Sequence, residues 1–334
     1  MRGRQLTAAV LLGLLQLVVV VTLALDGPDD DTHAAPVSVV APPVVGTTVV
    51  DRVNALPGRP VDAVALSSRT VALERVRTGR SVAAIVVDLR RDTDTVYVAG
   101  ANGTRLNRVV RRQITAVEAS YGRTVRVRDL VPARSGDGDR RYVYALTGLG
   151  LLVGLLSAVV ITWHQGPRAP TLARGVRRLL VNTAVAVVAG GVMAAAAAGY
   201  YDAPFALWWL VTGLTVLAGA TTMLALESLF GVYGIGVATT VLVLAAAPLA
   251  TLVHPLLLPE PWASITPWMP HGAALIAGTD VAYFGGEQLL RPVLVLVVWS
   301  AISVMTNVVA RRELQRDAAT TPTTPTADGS LPTH

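Results

Sequence analysis

The sequence predicts an α-helical polytopic membrane protein with six transmembrane helices and a small α/β extracytoplasmic domain between helices 1 and 2. Three observations carry this reading. Of the 334 residues, 52% are hydrophobic and only 15% charged, against about 25% charged in an ordinary soluble domain; mean hydropathy is +0.53. Six segments, 6–25, 143–163, 179–199, 205–226, 234–253 and 289–310, each reach the ~20 apolar residues that a hydrocarbon core ~30 Å thick requires. Between the first two, strand and helix patterns alternate.

Span one ends near the small residues Thr22 and Ala24, as a cleavable signal peptide would. Its apolar run exceeds an h-region of about 7–15 residues, which favours a retained anchor. Arginine sets the orientation. Arg2 and Arg4 precede span one, Arg168, Arg174, Arg177 and Arg178 separate spans two and three, and Arg311, Arg312 and Arg316 follow span six. The positive-inside rule puts all three groups, and both termini, in the cytoplasm of a multi-pass plasma (inner) membrane protein. Arg291, near the start of span six, is placed to snorkel to the interface. Trp208, Trp209, Trp262, Trp268, Tyr200 and Tyr201 gather at the outer interface, where amphipathic rings prefer to sit.

The extracytoplasmic domain with its linkers covers residues 26–141, of ordinary domain size. Residues 26–33 are polar and acidic, and Pro36, Pro42 and Pro43 interrupt regular structure, so this stretch reads as linker. Strands are predicted at 61–66, 82–89, 95–99 and 124–130, with helices at 67–78, capped by Ser67 or Ser68, and at 104–121. The second helix carries the stripe Leu106, Val109, Val110, Gln113, Ile114 and Val117, and Gly122 ends it. His33 stands alone, and Asp92 and Asp94 flank a turn that reads as solvated. Arg108, Arg111 and Arg112 read as a solvated helix face, with anionic lipid headgroups as the alternative. Residues 135–141, rich in Gly, Asp and Arg, read as a hinge.

Residues 142–310 form the five-helix membrane domain, and 311–334 a Thr/Pro-rich cytoplasmic tail with the composition of a disordered segment. Gly150 and Gly154 form a GxxxG pair that lets helix backbones approach. Glu227, at the inner end of span four, is read either as pairing with an inner arginine or as a functional acid. Pro255, Pro259, Pro261, Pro267 and Pro270 prevent a continuous helix. The stretch 254–288 is therefore expected to be an outer re-entrant or surface-lying element with a short interfacial helix at 272–284. His254 and His271 lack fitting carboxylates and read as interfacial, not as a metal pair. On the inner side, Thr171 caps a predicted short amphipathic helix that exposes Arg174, Arg177 and Arg178.

Several chemistries are excluded. Cysteine is absent, removing disulfides, thiolate metal sites and Cys nucleophiles. Lysine is absent too, and all 28 basic residues are Arg, which removes the P-loop lysine and Schiff-base catalysis. Any ATP used must be hydrolysed by another chain. Neither HExxH nor GxSxG occurs, and Tyr201-Asp202 lacks the second half of an intramembrane aspartyl protease signature. No catalytic residue, metal, bound cofactor or nucleic-acid partner is expected.

Four segments carry a resemblance: Val61-Asp62-Ala63-Val64-Ala65-Leu66; Ala72-Leu73-Glu74-Arg75-Val76-Arg77-Thr78-Gly79 with Ala83-Ala84-Ile85-Val86-Val87; Val127-Arg128-Asp129-Leu130-Val131-Pro132 with Asp137-Gly138-Asp139; and Trp268-Met269-Pro270-His271-Gly272 leading to Tyr283-Phe284-Gly285-Gly286. With the order of parts, they make the chain resemble the type-2 ABC transporter permeases, and among them it is similar to the phage-infection-protein-like membrane proteins. The resemblance implies an exporter permease subunit that moves a hydrophobic or amphipathic substrate outward. It also implies a homodimer or heterodimer of permease halves served by a separate ABC ATPase subunit. Arg168, Arg174, Arg177 and Arg178 would then lie in the coupling loop that docks the ATPase, and Trp268, Pro270, Gly272 and Tyr283 in an element gating the exit. The alternative is a non-transporting scaffold or secretion accessory protein acting through its extracytoplasmic domain.

Overall fold

The computed structural model describes residues 32, 34–55, 59–166, 171–230, 254–259 and 262–320. The expected spans 6–25 and 234–253, together with His33 and Arg168, lie outside the described residues.

The N-terminal region is a five-stranded sheet in the order β2-β1-β3-β4-β5, with β1 at Ala35–Val40, β2 at Val61–Leu66, β3 at Ala83–Val86, β4 at Thr93–Val98 and β5 at Thr124–Asp129. Its helices are α1 (Pro43–Asn54), α2 (Arg69–Arg77) and α3 (Thr104–Ser120). β1 runs parallel to both neighbours, β3 and β4 are antiparallel, and β4 and β5 are parallel. Right-handed crossovers decide where the helices lie. The chain leaves β1 in one direction through α1 and returns past it to β3 through α2, so these helices cover opposite faces. From β4 to β5 both strand direction and lateral direction are reversed, which returns α3 to the face of α1. The two apolar layers agree: Val37, Val39, Ile85, Val96 and Val98 pack with Leu106 and Val110 of α3, while Ala84 and Tyr97 pack with Ala72 and Val76 of α2.

From Ala35 on, the stretch expected to be linker is a strand and a helix, a correction that turns on where its prolines fall. Within a strand, a residue's N–H and C=O point to the same neighbour. The Pro36 carbonyl accepts from the Val82 N–H at 2.8 Å, so its absent N–H also faces β3, and β1–β3 pairing begins only at Val37 opposite Ala83. No ladder bond is lost. Pro43 opens α1 at its first turn, where a missing N–H is tolerated.

Four described helices are long and apolar enough to cross a membrane: α4 (Arg141–Gln165), α5 (Leu172–Tyr201), α6 (Phe205–Phe230) and the stretch Leu290–Val309 of the last helix, α8 (Leu290–Thr320). They overlap four of the six expected spans. α6 is central: 67% of its most apolar window is buried, against 44% or less for the others. Small residues set the crossings. A Cβ at Gly154 of α4 would overlap the Val216 carbonyl of α6, and one at Gly190 of α5 would lie 2.6 Å from Gly213 Cα of α6. Thr212 and Trp209 then donate from α6 to the Gly190 and Val187 carbonyls of α5, at 2.8 and 2.9 Å. α8 stays helical to Thr320, past residue 310 where the disordered tail is expected to begin; no Gly or Pro interrupts 311–320.

Between α6 and α8 in sequence, helical turns at Pro255–Leu257 and Trp262–Trp268 precede α7 (Pro270–Tyr283). α7 does not lie on the surface of the bundle. It packs among α4, α6 and α8, and ten of its fourteen residues are buried. Its Ala- and Gly-rich sequence presents no bulky polar face, which allows that insertion. His271 is correspondingly buried.

Candidate functional site

Two polar constellations sit at opposite ends of the helix bundle, joined by α4. At the domain end, the loop before α4 turns tightly, with Asp137 N–H bonded to the Arg134 carbonyl and Arg140 N–H to the Asp137 carbonyl, both at 2.9 Å. This loop, expected to be a hinge, buries Asp137 to 2% exposure. Asp137 Oδ1 accepts from the Tyr142 N–H at 3.0 Å, and Oδ2 from the hydroxyls of Tyr201 and Tyr283 at 2.5 and 2.6 Å. One carboxylate therefore ties the start of α4 to the ends of α5 and α7. Tyr142 stacks on Tyr200, and Tyr201 on Trp208, with centroids 4.5 and 5.5 Å apart. The same loop holds the domain: the Gly138 carbonyl accepts from the N–H of Thr104, the first residue of α3, at 3.1 Å.

α7 also docks on the domain. Phe284 joins the apolar layer of α2, and Gln288 Nε2 donates to the Thr78 carbonyl at 2.8 Å. Asp280 Oδ2 accepts the Gln288 N–H at 2.8 Å. His254 Nδ1 accepts the Leu256 N–H; burial, with the nearby Arg140 charge, holds its imidazole well below the usual histidine range and so neutral. Among the described residues, no group of three or more His, Asp and Glu is placed to hold a metal.

At the far end, Thr162 of α4 donates to Glu227 Oε2 of α6, and Arg178 of α5 donates to the Gly166 carbonyl just beyond α4. Arg178 and Glu227 attract each other across this junction. One turn deeper, Ser157 and Asn182 join α4 to α5 at 2.8 Å, and Asn182 Nδ2 bonds the Arg178 carbonyl at 3.0 Å. Glu227 is fully buried.

The residues singled out from sequence divide accordingly. The expected short amphipathic helix is the first two turns of α5, with Thr171 Oγ1 accepting the Arg174 N–H at 3.3 Å. Arg174 and Arg177 are exposed, but Arg178, expected on the same exposed face, is buried. It lies one helical turn past Arg174 and faces α4 and α6. Gly150 and Gly154 both face α6. Trp268 is exposed, holds Arg291 over its ring at 4.5 Å, and accepts the Trp299 Nε1–H on its carbonyl at 2.7 Å. Pro270 starts α7, and Gly272 has no room for a Cβ because the Thr266 carbonyl lies against it. Tyr283 reaches Asp137 instead of facing an opening.

Sequence reasoning missed a third cluster, inside the domain. Asp94 is not in a solvated turn; it lies in β4, fully buried. Arg123 grips it with two bonds, at 2.5 and 2.7 Å, and also donates to the Asp88 and Arg91 carbonyls. Glu118 lies 3.9 Å from Arg123. Burial raises the Glu118 carboxyl to about 7, helped by its hydrogen bond to Asp94 and by that residue's charge; burial also works to raise Asp94, but the bonds from Arg123, the Asp88 N–H and Glu118, with the Arg123 charge, together lower it.

The fold and these sites define a small α/β domain clamped onto a bundle of membrane-length helices. Comparisons with protein-family models, with curated proteins and with solved structures return no match.

Proposed function

We propose that this chain is the permease subunit of an ABC-type exporter in the plasma (inner) membrane, driven by ATP hydrolysed on a separate subunit. In this reading the α/β domain lies outside, both termini lie in the cytoplasm, and two permease halves associate. The observation that carries it is the continuity of α4. One uninterrupted helix begins in the Asp137 clamp beside the domain and ends where Thr162 meets Glu227, next to the exposed Arg174 and Arg177. A push on the Arg-bearing end is transmitted through a packed helix to the domain end, because close-packed interiors carry displacement. The absence of a P-loop lysine fits a chain that receives work from a partner.

The test is affinity purification of the tagged full-length protein from its host in mild detergent, with mass spectrometry of co-purifying chains. A stoichiometric ABC ATPase that is lost from the membrane-inserted double variant Arg174→Glu/Arg177→Glu is expected. A wild-type preparation without an ATPase, or one that keeps it after charge reversal, overturns the reading.

A further inference from the structure

Where the domain meets α7 and α8, the structure contains a chamber of about 280 Å³ that opens beside a groove of about 520 Å³ along α8. Gln288 and Arg291 line both. The two halves differ in chemistry. The groove is walled by Leu294, Val298, Trp268 and Trp299, and its floor is almost wholly apolar. Leu290, Leu294 and Val298 are at least half exposed along it. The chamber holds Asp280, Arg140 and His254 under the domain residues Gly79 and Asn102.

Two buried groups in the chamber are unsatisfied among the described residues. Asp280 is 3% exposed and its Oδ1 makes no hydrogen bond; Arg140 is 3% exposed and its Nε–H makes none. Leaving such groups unpaired is costly. A ligand that offers both a donor and an acceptor would satisfy both. The charges select further: the lining carries one acid, Asp280, and two cations, Arg140 and Arg291, so it suits a zwitterion with a cationic N–H group at Asp280 better than a purely anionic or purely cationic headgroup. Arg291 at the threshold suits a phosphate, which guanidinium groups bind by paired hydrogen bonds. The apolar groove beyond Arg291, with tryptophans at its rim, suits an acyl chain.

We propose that chamber and groove together bind one phospholipid with a protonated amine headgroup, drawn from the leaflet on the domain side: chain along α8, phosphate at Arg291, ammonium at Asp280. Their combined volume falls in the range of ligand pockets, about 300–1,000 Å³. The inference deepens the exporter reading by naming the class of its amphipathic substrate, and in that respect rests on it.

The experiment uses full-length protein in vesicles, without ATP or any partner. Phosphatidylethanolamine, phosphatidylcholine or phosphatidylglycerol carries a photoreactive acyl chain, and labelled peptides are mapped by mass spectrometry. Phosphatidylethanolamine should label residues 290–298 about tenfold more than the other two, the worth of one charge-assisted hydrogen bond. Asp280→Asn and Arg291→Gln should each remove that preference. Leu294→Trp, which only fills the exposed groove, should lower labelling there while labelling at Val188 and Val192 on the exposed face of α5 is unchanged. Equal labelling by all headgroups, labelling no stronger than on α5, or none at 290–298 from any lipid, because protein covers the groove, would overturn the site. Setting this assay beside the ATPase capture, both on the wild-type protein, separates the two ideas. Lipid preference without an ATPase sinks the exporter and keeps the site, whereas a captured ATPase without lipid preference does the reverse.

Discussion

Tyr201 and Tyr283, at the ends of α5 and α7, donate to the same atom, Asp137 Oδ2. A buried carboxylate with three donors is held by charge-assisted bonds, each stronger than a neutral one. Because the acceptor is shared, the two helix ends are fixed relative to each other as well as to α4.

Asp137→Asn should therefore lower stability by about 1–3 kcal/mol, the scale of losing bonds to a charged group, and free both tyrosines. Tyr201→Phe and Tyr283→Phe should couple, the double variant losing more than the two single losses added, since each single removal lets Asp137 reorganise around the tyrosine that remains. Thermal melts of the four proteins in one detergent check this. Strict additivity would mean that the tyrosines act independently.

The cluster of Asp94, Glu118 and Arg123 makes the domain's stability depend on pH in two directions. Glu118 is raised to about 7, so the folded state holds its proton more tightly than the unfolded chain. That contribution is complete below the unfolded value near 4.5 and is lost as pH rises towards 7. At about 1.4 kcal/mol per unit, the loss is on the order of 2–3 kcal/mol. Asp94 is lowered and works in the opposite sense, its contribution fading as pH falls through the acid range. Hydrogen exchange of β4 and β5 amides should show protection falling between pH 4.5 and 7 after correction for intrinsic rates, and Glu118→Gln should flatten that slope. A slope unchanged in the variant would remove Glu118 from the account.

Those same residues show where sequence reading reached and where it stopped. Apolar runs of membrane length locate α4, α5, α6 and α8 because hydrophobicity acts locally and needs no partner. Ser68 capping α2, with its Oγ accepting the Val71 N–H, is equally legible, since a cap is a neighbour's property. Asp94 and Asp137 look like solvated turn residues because their partners are distant: Arg123 for one, Tyr201 and Tyr283 for the other. Pro36 hides a strand for a related reason. Whether proline breaks a ladder depends on which neighbour its nitrogen faces, and that is settled only once β3 is in place. The partners of α7 are hidden in the same way: its small residues show no stripe that would name them, although they are what allows it to sit among three larger helices.

The α4–α6 crossing predicts a sharp contrast between glycines. A Cβ at Gly154 overlaps the Val216 carbonyl and comes within 2.8 Å of the Ala220 nitrogen, both backbone atoms, whereas Gly148 has nothing within 4 Å. Gly154→Val should abolish recovery of monodisperse protein, because two helices must separate to admit it. Gly148→Ala should be neutral or slightly stabilising, as alanine is the better helix former by about 1 kcal/mol. Size-exclusion profiles at equal expression compare them, and a well-behaved Gly154→Val protein would show that the helices are not in contact there.

The Arg cluster at the start of α5 contains two kinds of arginine, and a charge-reversal experiment must not mix them. Arg174 and Arg177 are exposed, so replacing both with Glu should change stability by no more than about 0.5 kcal/mol each, the range for surface substitutions. Arg178 is 5% exposed and faces Glu227, which has no exposure at all. Arg178→Glu would bury two carboxylates together, and even Arg178→Ala would remove the bond to the Gly166 carbonyl and the charge that acts on Glu227, a loss of about 1–3 kcal/mol. Arg178→Ala combined with Glu227→Gln should recover part of that loss, because no buried charge is then left uncompensated. The order of melting temperatures follows: wild type and Arg174→Glu/Arg177→Glu together, the Arg178→Ala/Glu227→Gln pair below them, and Arg178→Ala alone lowest. If Arg178→Ala melts with the wild type, Arg178 and Glu227 are not a pair, and all three arginines belong to one exposed face.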